Sequence, residues 1–385
     1  MQKIVITFFS CVVFVGAALA ASPRGPQYEG IRSMGMGNTT VAVTTDRTAI
    51  FHNPAGLGLL KDQFQLSITP VMLSIDGKIL TYLNILNKQK DALADIKNID
   101  SSFFNAIGEL DGYWAGLEYS PEITIAKKNL GFGFYTTLPL DVKIETGHFI
   151  PKLGIQGQRD MVFTWAFGVP LADTNNYMGV SMAYFQRMAV PEQITSYSET
   201  FVLFDKVSKN PLGAMDGYAP VERGMSINVG FMHNFSGLRL AYDVRDLFAL
   251  IGGDFITPRV DVGVAYYFPQ LEKLEFIRSI ILSAEVSNLF GMEPKTGIYE
   301  NFGKKIHAGA EIDIFMVSLR GGINQGYPTF GVGLSLGVLN LDYVYFQEEA
   351  GYFPGQMVSE KHVLSINLGI NVPEFKQSAE QQLGQ

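Results

Sequence analysis

The stretch Leu364-Ser365-Ile366-Asn367-Leu368-Gly369-Ile370-Asn371-Val372 decides the fold. Its even positions are all apolar and its odd positions small or polar, a strict period of two. In a β-strand that period sorts the two kinds of side chain onto opposite faces, whereas a helix would mix them round its circumference. The same alternation recurs upstream. Leu238, Leu240, Tyr242 and Val244 share one face of 237–248, with Arg239, Ala241, Asp243 and Arg245 on the other. In 305–314, Ile306, Ala308, Ala310, Ile312 and Ile314 oppose His307, Gly309, Glu311 and Asp313.

One such strand fits either a soluble sandwich or a membrane barrel. Only the surroundings of the apolar face differ. The number and spacing of strands separate the two. Alternation predicts strands near 63–75, 112–126, 130–146, 159–171, 177–192, 223–235, 237–249, 258–269, 278–290, 302–314, 316–326, 329–338, 340–348 and 361–372. Fourteen is an even count, and long links such as 76–111 and 193–222 alternate with tight ones at Lys127-Lys128-Asn129 and Ser236-Gly237. That is the pattern of an all-β, antiparallel transmembrane barrel, with short turns at one end and longer loops at the other. Two links depart from it: 270–277 is long for a turn, and Gly326-Tyr327-Pro328 is short for an outer loop.

The ends and the composition agree. Lys3, the apolar run Ile4 to Val15 and Ala18-Leu19-Ala20 read as a signal peptide over 1–20, which sends the chain out of the cytoplasm. Cys11, the one cysteine, falls inside it, so the exported chain is expected to carry no disulfide and no thiol ligand. Hydrophobic residues make up 47% of the chain and charged ones 17%, yet no run reaches the ~18 apolar residues of a spanning helix. The net charge of −8 argues against a nucleic-acid partner. The 40 glycines are read as bends and turns of strands. Residues 21–62 precede the barrel of 63–372, and 373–385 form a polar tail. Within 84–108, Leu93, Ile96, Ile99, Phe103 and Ile107 have the spacing of an amphipathic helix in the first long loop.

The segment Gly30 to Asn38, with Gly35-Met36-Gly37 at its centre, is followed by Thr48 to Leu57, which includes Asn53-Pro54-Ala55. Together they resemble the N-terminal hatch of the FadL family of outer-membrane long-chain fatty acid transporters. The stretches Leu319 to Asn324 and Leu341-Asp342-Tyr343 resemble an uncharacterised branch of the same superfamily. The resemblance implies a fourteen-stranded barrel in the outer membrane of a diderm bacterium. It also implies a hatch over 21–62 and passive uptake of a hydrophobic ligand, such as a long-chain fatty acid, that leaves sideways into outer-membrane lipid. It leaves an alternative open, because barrels of this superfamily also serve protein secretion by binding a partner. A polar-solute porin is disfavoured by the hatch.

No catalytic set stands out, no cofactor is expected, and the five histidines show no metal-binding spacing. The expectation is a transporter, not an enzyme. Inward charges offer two readings. Glu311 opposite Arg320, and Arg239, Asp243 and Arg245 beside Arg259 and Asp261, can form a structural ladder. Alternatively, Arg239, Arg245 or Arg320 can grip a ligand carboxylate by paired hydrogen bonds. Pro139 lies mid-strand in 130–146, where it removes a ladder donor, and Pro121 lies on the strand before. A closed barrel has no edge to excuse this, so Pro139 is expected to mark a local break, read as a lateral opening, or a bulge.

Overall fold

The computed structural model describes residues 25–60, 63–79, 105, 108, 114–145, 152–171, 175–195, 220–268, 276–291, 301–351 and 353–373. The expected signal peptide, the tail beyond 373 and nearly all of the helix read over 84–108 lie outside them. Fourteen strands follow one another in antiparallel order. They are β1 (Gln63–Asp76), β2 in two halves (Trp114–Tyr119 and Glu122–Lys127), β3 (Leu130–Glu145), β4 (Lys152–Pro170) and β5 (Asn176–Thr195). Then come β6 (Glu222–Phe235), β7 (Leu238–Ile251), β8 (Arg259–Tyr267), β9 (Ile277–Val286) and β10 (Ile306–Ile314). Last are β11 (Val317–Asn324), β12 (Tyr327–Leu336), β13 (Leu339–Glu349) and β14 (Val358–Pro373). Asp254–Phe255 adds a short return onto the end of β7.

The sheet closes because β14 pairs with β1, from Gln63↔Pro373 to Asp76↔Lys361. Closure removes both edges, so every strand has two neighbours. Tight turns use left-handed backbone where the chain reverses in two residues. Ser236-Gly237 and Gln325-Gly326 both have two positive φ values, the turn geometry whose twist suits antiparallel strands.

Burial settles which surroundings the apolar face meets. On β14, Leu364 is 50% and Ile366 39% exposed, while Ser365 and Asn367 are only 4% exposed. The same inversion holds on β12, where Phe330 and Val332 are exposed and Thr329 is buried, and on β7, where Leu240 is exposed and Asp243 buried. A soluble sandwich would bury the apolar face. Presenting it outward round a closed wall is stable in hydrocarbon, where the barrel satisfies every backbone group internally. The wall spans a bilayer with its strands; among the described residues no helix is long and apolar enough to do so.

Several details differ from the sequence reading. β4 begins at Lys152, seven residues earlier than expected, through a glycine-containing stretch whose alternation is diluted. Phe302–Lys305 is a 3-10 turn capped by Asn301 and not the start of β10. The second strand is split at Ser120-Pro121.

Candidate functional site

Residues 25–60 contain a five-residue helix, α1 (Ile31–Gly35), and two 3-10 turns, Arg47–Ile50 and Pro54–Leu59. The chain entering each 3-10 turn is held by a short polar side chain. Asp46 accepts from the Thr48 N–H, and the Asn53 side chain accepts from the Ala55 N–H at 3.1 Å. This local bonding is what Asp and Asn offer at turn starts, with Pro54 supplying a fixed φ after Asn53.

The segment lies against the inner, polar face of the wall, and glycines make its seats. Gly168 of β4, Gly179 of β5 and Gly230 of β6 are paired side by side across three strands. A Cβ on Gly168 would stand 2.2 Å from the Pro54 carbonyl oxygen. One on Gly179 would stand 2.2 Å from the Pro54 carbonyl carbon, and one on Gly230 2.0 Å from Asn53 Oδ1. The Asn53-Pro54-Ala55 turn therefore rests directly on bare backbone. A second seat is the cross-strand pair Gly309 and Gly322, where added Cβ atoms would meet the Met36 carbonyl at 2.1 Å and the Gly37 nitrogen at 2.3 Å. Gly37 has φ +66 and a Cβ there would lie 2.2 Å from the Ala308 carbonyl, so glycine is required twice over. Gly35 is less demanding, with Arg320 carbons at 3.2 Å. These wall glycines are seats for the segment, not the bends read from composition.

Polar bonds fix what the seats position. Glu285 of β9 accepts the backbone N–H groups of Thr40 (2.6 Å) and Val41 (2.8 Å) and the Thr40 hydroxyl. Thr329 meets Gly37 N and Gly35 O, and Asn53 Nδ2 donates to the carbonyls of Val41 and Phe231. Arg32 on α1 bonds Glu311 through Nε and Nη2 and also reaches Asp46 at 3.0 Å. Burial works against the Arg32 charge, but Glu311 and Asp46 outweigh it and keep its pKa raised.

The three arginines weighed as ligand contacts all have protein partners. Arg320 donates to Glu311 (2.7 Å) and Asp342 (2.6 Å), completing a chain Asp46–Arg32–Glu311–Arg320–Asp342 across segment and wall. Arg245 bridges Asp243 and Asp261 at 3.0 Å each and reaches Thr40. Arg239 donates to the Ala42 carbonyl and the Tyr267 hydroxyl and lies 4.2 Å from that ring. The geometry is that of a ladder tying the segment to the wall. Sequence reading paired Glu311 with Arg320 correctly but missed the third member, because Arg32 lies in a stretch with no periodicity.

An aromatic cluster caps this assembly. Tyr28 lies tilted against Phe51 (4.4 Å) and edge-on to Tyr135 and His52 (5.2 Å each), and its hydroxyl donates to Glu122. His52, 2% exposed, is pushed down from 6.5 to about 3, chiefly by burial and then by the Arg245 charge, so its ring is neutral.

The wall is irregular at several pairings, those of β1 to β4 among them. The β1–β14 register shifts between Ile68 and Val71, flanking Pro70, and β2 breaks at Pro121. The Thr136 N–H donates to the Pro121 carbonyl at 3.1 Å, so even-numbered amides of β3 face β2 and odd-numbered ones face β4. Pro139 is odd, and the donor it lacks is one toward β4. The β3–β4 pairing stops at Thr137↔Asp160 and resumes, unshifted, at Leu140↔Gly157. The ladder is interrupted here without a bulge. A cavity of about 710 Å³ lies on the inner side, bounded by Trp114, Glu118, Pro139, Asp141, Gln156 and Lys361. Among the described residues no group of His, Cys, Asp and Glu is placed to hold a metal ion.

No family model matches the chain, and no curated protein matches it. Among solved structures it is similar to the toluene transporter TbuX of Ralstonia pickettii, at 11% identity over 90% of this chain and 99% of that one, with a TM-score of 0.49. The monoaromatic hydrocarbon channel TodX, as a deltaS2S3 mutant, gives the same identity, shares and TM-score. The monoaromatic hydrocarbon channel CymD follows at 10% identity, over 88% and 96%, with a TM-score of 0.46.

Proposed function

We propose that this barrel carries out passive uptake of hydrophobic molecules across the outer membrane of a diderm bacterium, long-chain fatty acids being one such class. In this reading residues 21–62 act as a hatch, and the ligand leaves sideways through the wall at Pro139. The observation that carries the reading is the 710 Å³ cavity ending at an interrupted ladder. A filled lumen with an interrupted wall suits a ligand that ends its journey in lipid. No energy source or cofactor is needed, because transfer of an apolar molecule into the bilayer is itself downhill by about 0.8 kcal/mol per CH₂.

The charge of the cavity refines the ligand. Asp76, Glu118, Asp141, Glu348 and Glu360 line it against Lys78 and Lys361. With Arg239, Arg245 and Arg320 committed to the protein, a ligand carboxylate meets net repulsion. Uncharged hydrophobic molecules, and fatty acids in their protonated form, are favoured. The test is a mass-spectrometric inventory of what co-purifies with the native barrel. Stoichiometric apolar small molecules support uptake. A stably bound exported protein in their place would favour the secretion-partner alternative and overturn it.

A further inference from the structure

The segment 25–60 does not fill the lumen evenly. Beside it lie two polar cavities, of about 270 and 240 Å³. The first runs down the inner wall of β11 to β14 and β1 and reaches Ser335 and Asn340. These two are paired one step before the turn joining β12 to β13, so the cavity ends within ~3–4 Å of the short-turn end of the barrel. The second reaches Gln325, in the turn beyond β11, and Glu349, the last residue of β13. It therefore ends at the long-loop side. Of the described residues bordering the two cavities, only Tyr28 and His52 border both.

We propose that the two cavities form one polar permeation path through the barrel, closed at its middle by the Tyr28–His52 ring pair, and that it passes small hydrated cations. Three observations carry this. The two cavities together reach both ends of the wall. Their shared border is a single pair of rings, edge-on with centroids 5.2 Å apart. His52 Nδ1 is buried at that border with no hydrogen-bonding partner among the described residues, so a water or hydrated ion arriving there finds a polar group to bond. Sign follows from the lining. In the first cavity Asp46, Glu122 and Asp342 balance Arg32, Arg47 and Arg320. In the second, Glu29, Asp261, Glu285, Glu348 and Glu349 exceed Arg245, Arg259 and Lys304. The excess of carboxylates attracts cations and repels anions.

The path goes beyond hydrophobic uptake and does not rest on it: Pro139 borders neither polar cavity, and among the described residues the cavity there shares only Glu348 with the second, so repairing the ladder leaves this route unchanged. The experiment uses the full chain in planar bilayers under a KCl gradient, with heat-modifiability on gels confirming a folded barrel. Removing the ring in Tyr28→Ala, or independently in His52→Ala, raises conductance several-fold, with a reversal potential toward that of potassium. Adding Ser335→Trp to Tyr28→Ala fills the lower cavity and abolishes the increase. Unchanged conductance in both folded single variants, a chloride-directed reversal potential, or an increase that survives Ser335→Trp would each overturn the proposal.

Discussion

Replacing Gly179 by alanine tests the seat under the Asn53-Pro54-Ala55 turn. The new methyl would lie 2.2 Å from the Pro54 carbonyl carbon, 2.3 Å from the Ala55 nitrogen and 2.6 Å from the Pro54 oxygen. Ordinary contacts begin near 3.4 Å, so the turn must retreat by roughly 1 Å. All three atoms are backbone, and no side-chain rotation relieves them. Overpacking of this kind costs about 1–3 kcal/mol. Retreat also strains the Asn53 Nδ2 bonds to the carbonyls of Val41 (3.1 Å) and Phe231 (3.2 Å), each worth about 1 kcal/mol net. A total near 3 kcal/mol shifts the balance between seated and released segment by about 10²-fold. Limited proteolysis of the folded barrel in detergent reads this directly, provided cleavage is slow relative to reseating. Cleavage within 25–60 should accelerate by about that factor. The control is Gly321→Ala, the same substitution where a Cβ meets nothing within 4 Å. Equal cleavage rates in the two variants would refute the seating argument.

Acid should loosen the same segment through His52. Its seated ring stays neutral down to about pH 3, while the released ring takes up a proton at 6.5, so seating is fully favoured above 6.5 and weakens as pH falls toward 3. Tyr28, Arg245 and Asp46 face the ring, and Asp46 only partly offsets burial and Arg245. His52→Asn should flatten this part of the pH profile of proteolytic release; an unaltered slope would exclude His52 as its source. Glu285→Ala strips the acceptor from the Thr40 and Val41 amides, at about 1–3 kcal/mol for each buried donor left bare. Release of 25–60 should rise steeply, and a variant as resistant as the parent would show that these bonds do not hold the segment. Deleting 22–62 should give a conductance far above that of the intact chain or of Tyr28→Ala, because the walls that the segment gives to both polar cavities vanish together. Conductance no greater than that of the intact protein would remove the segment from its proposed role as a hatch.

The barrel was legible because a half-buried strand writes its two faces into alternate residues, and β14 and β7 do so without a break. The interruption at Pro139 was legible too, since proline cannot donate to a ladder whatever surrounds it. Whether it shifted the register was not, because that depends on how Thr137 and Leu140 pair with β4 on either side. The glycine seats were hidden for a simpler reason. Gly168, Gly179 and Gly230 carry no side chain to announce which face they expose, and their meaning appears only when Pro54 lies against them. The arginines were legible as inward-facing but not as occupied. Their partners Asp46, Thr40 and the Ala42 carbonyl come from an irregular segment, where no periodicity predicts which group meets the wall.

Uptake by Pro139→Val protein tests whether a hydrophobic ligand leaves the lumen through the wall at Pro139, as proposed. Valine restores an amide facing β4 opposite Gln158, in a register that is already continuous on both sides of the gap. Folded barrel in the membrane is held equal by heat-modifiability, and entry of a fluorescent apolar probe into vesicle bilayers is followed with time. Slower uptake is expected at equal barrel content, with unchanged ionic conductance. Uptake at the parental rate by well-folded Pro139→Val protein would contradict the proposed exit.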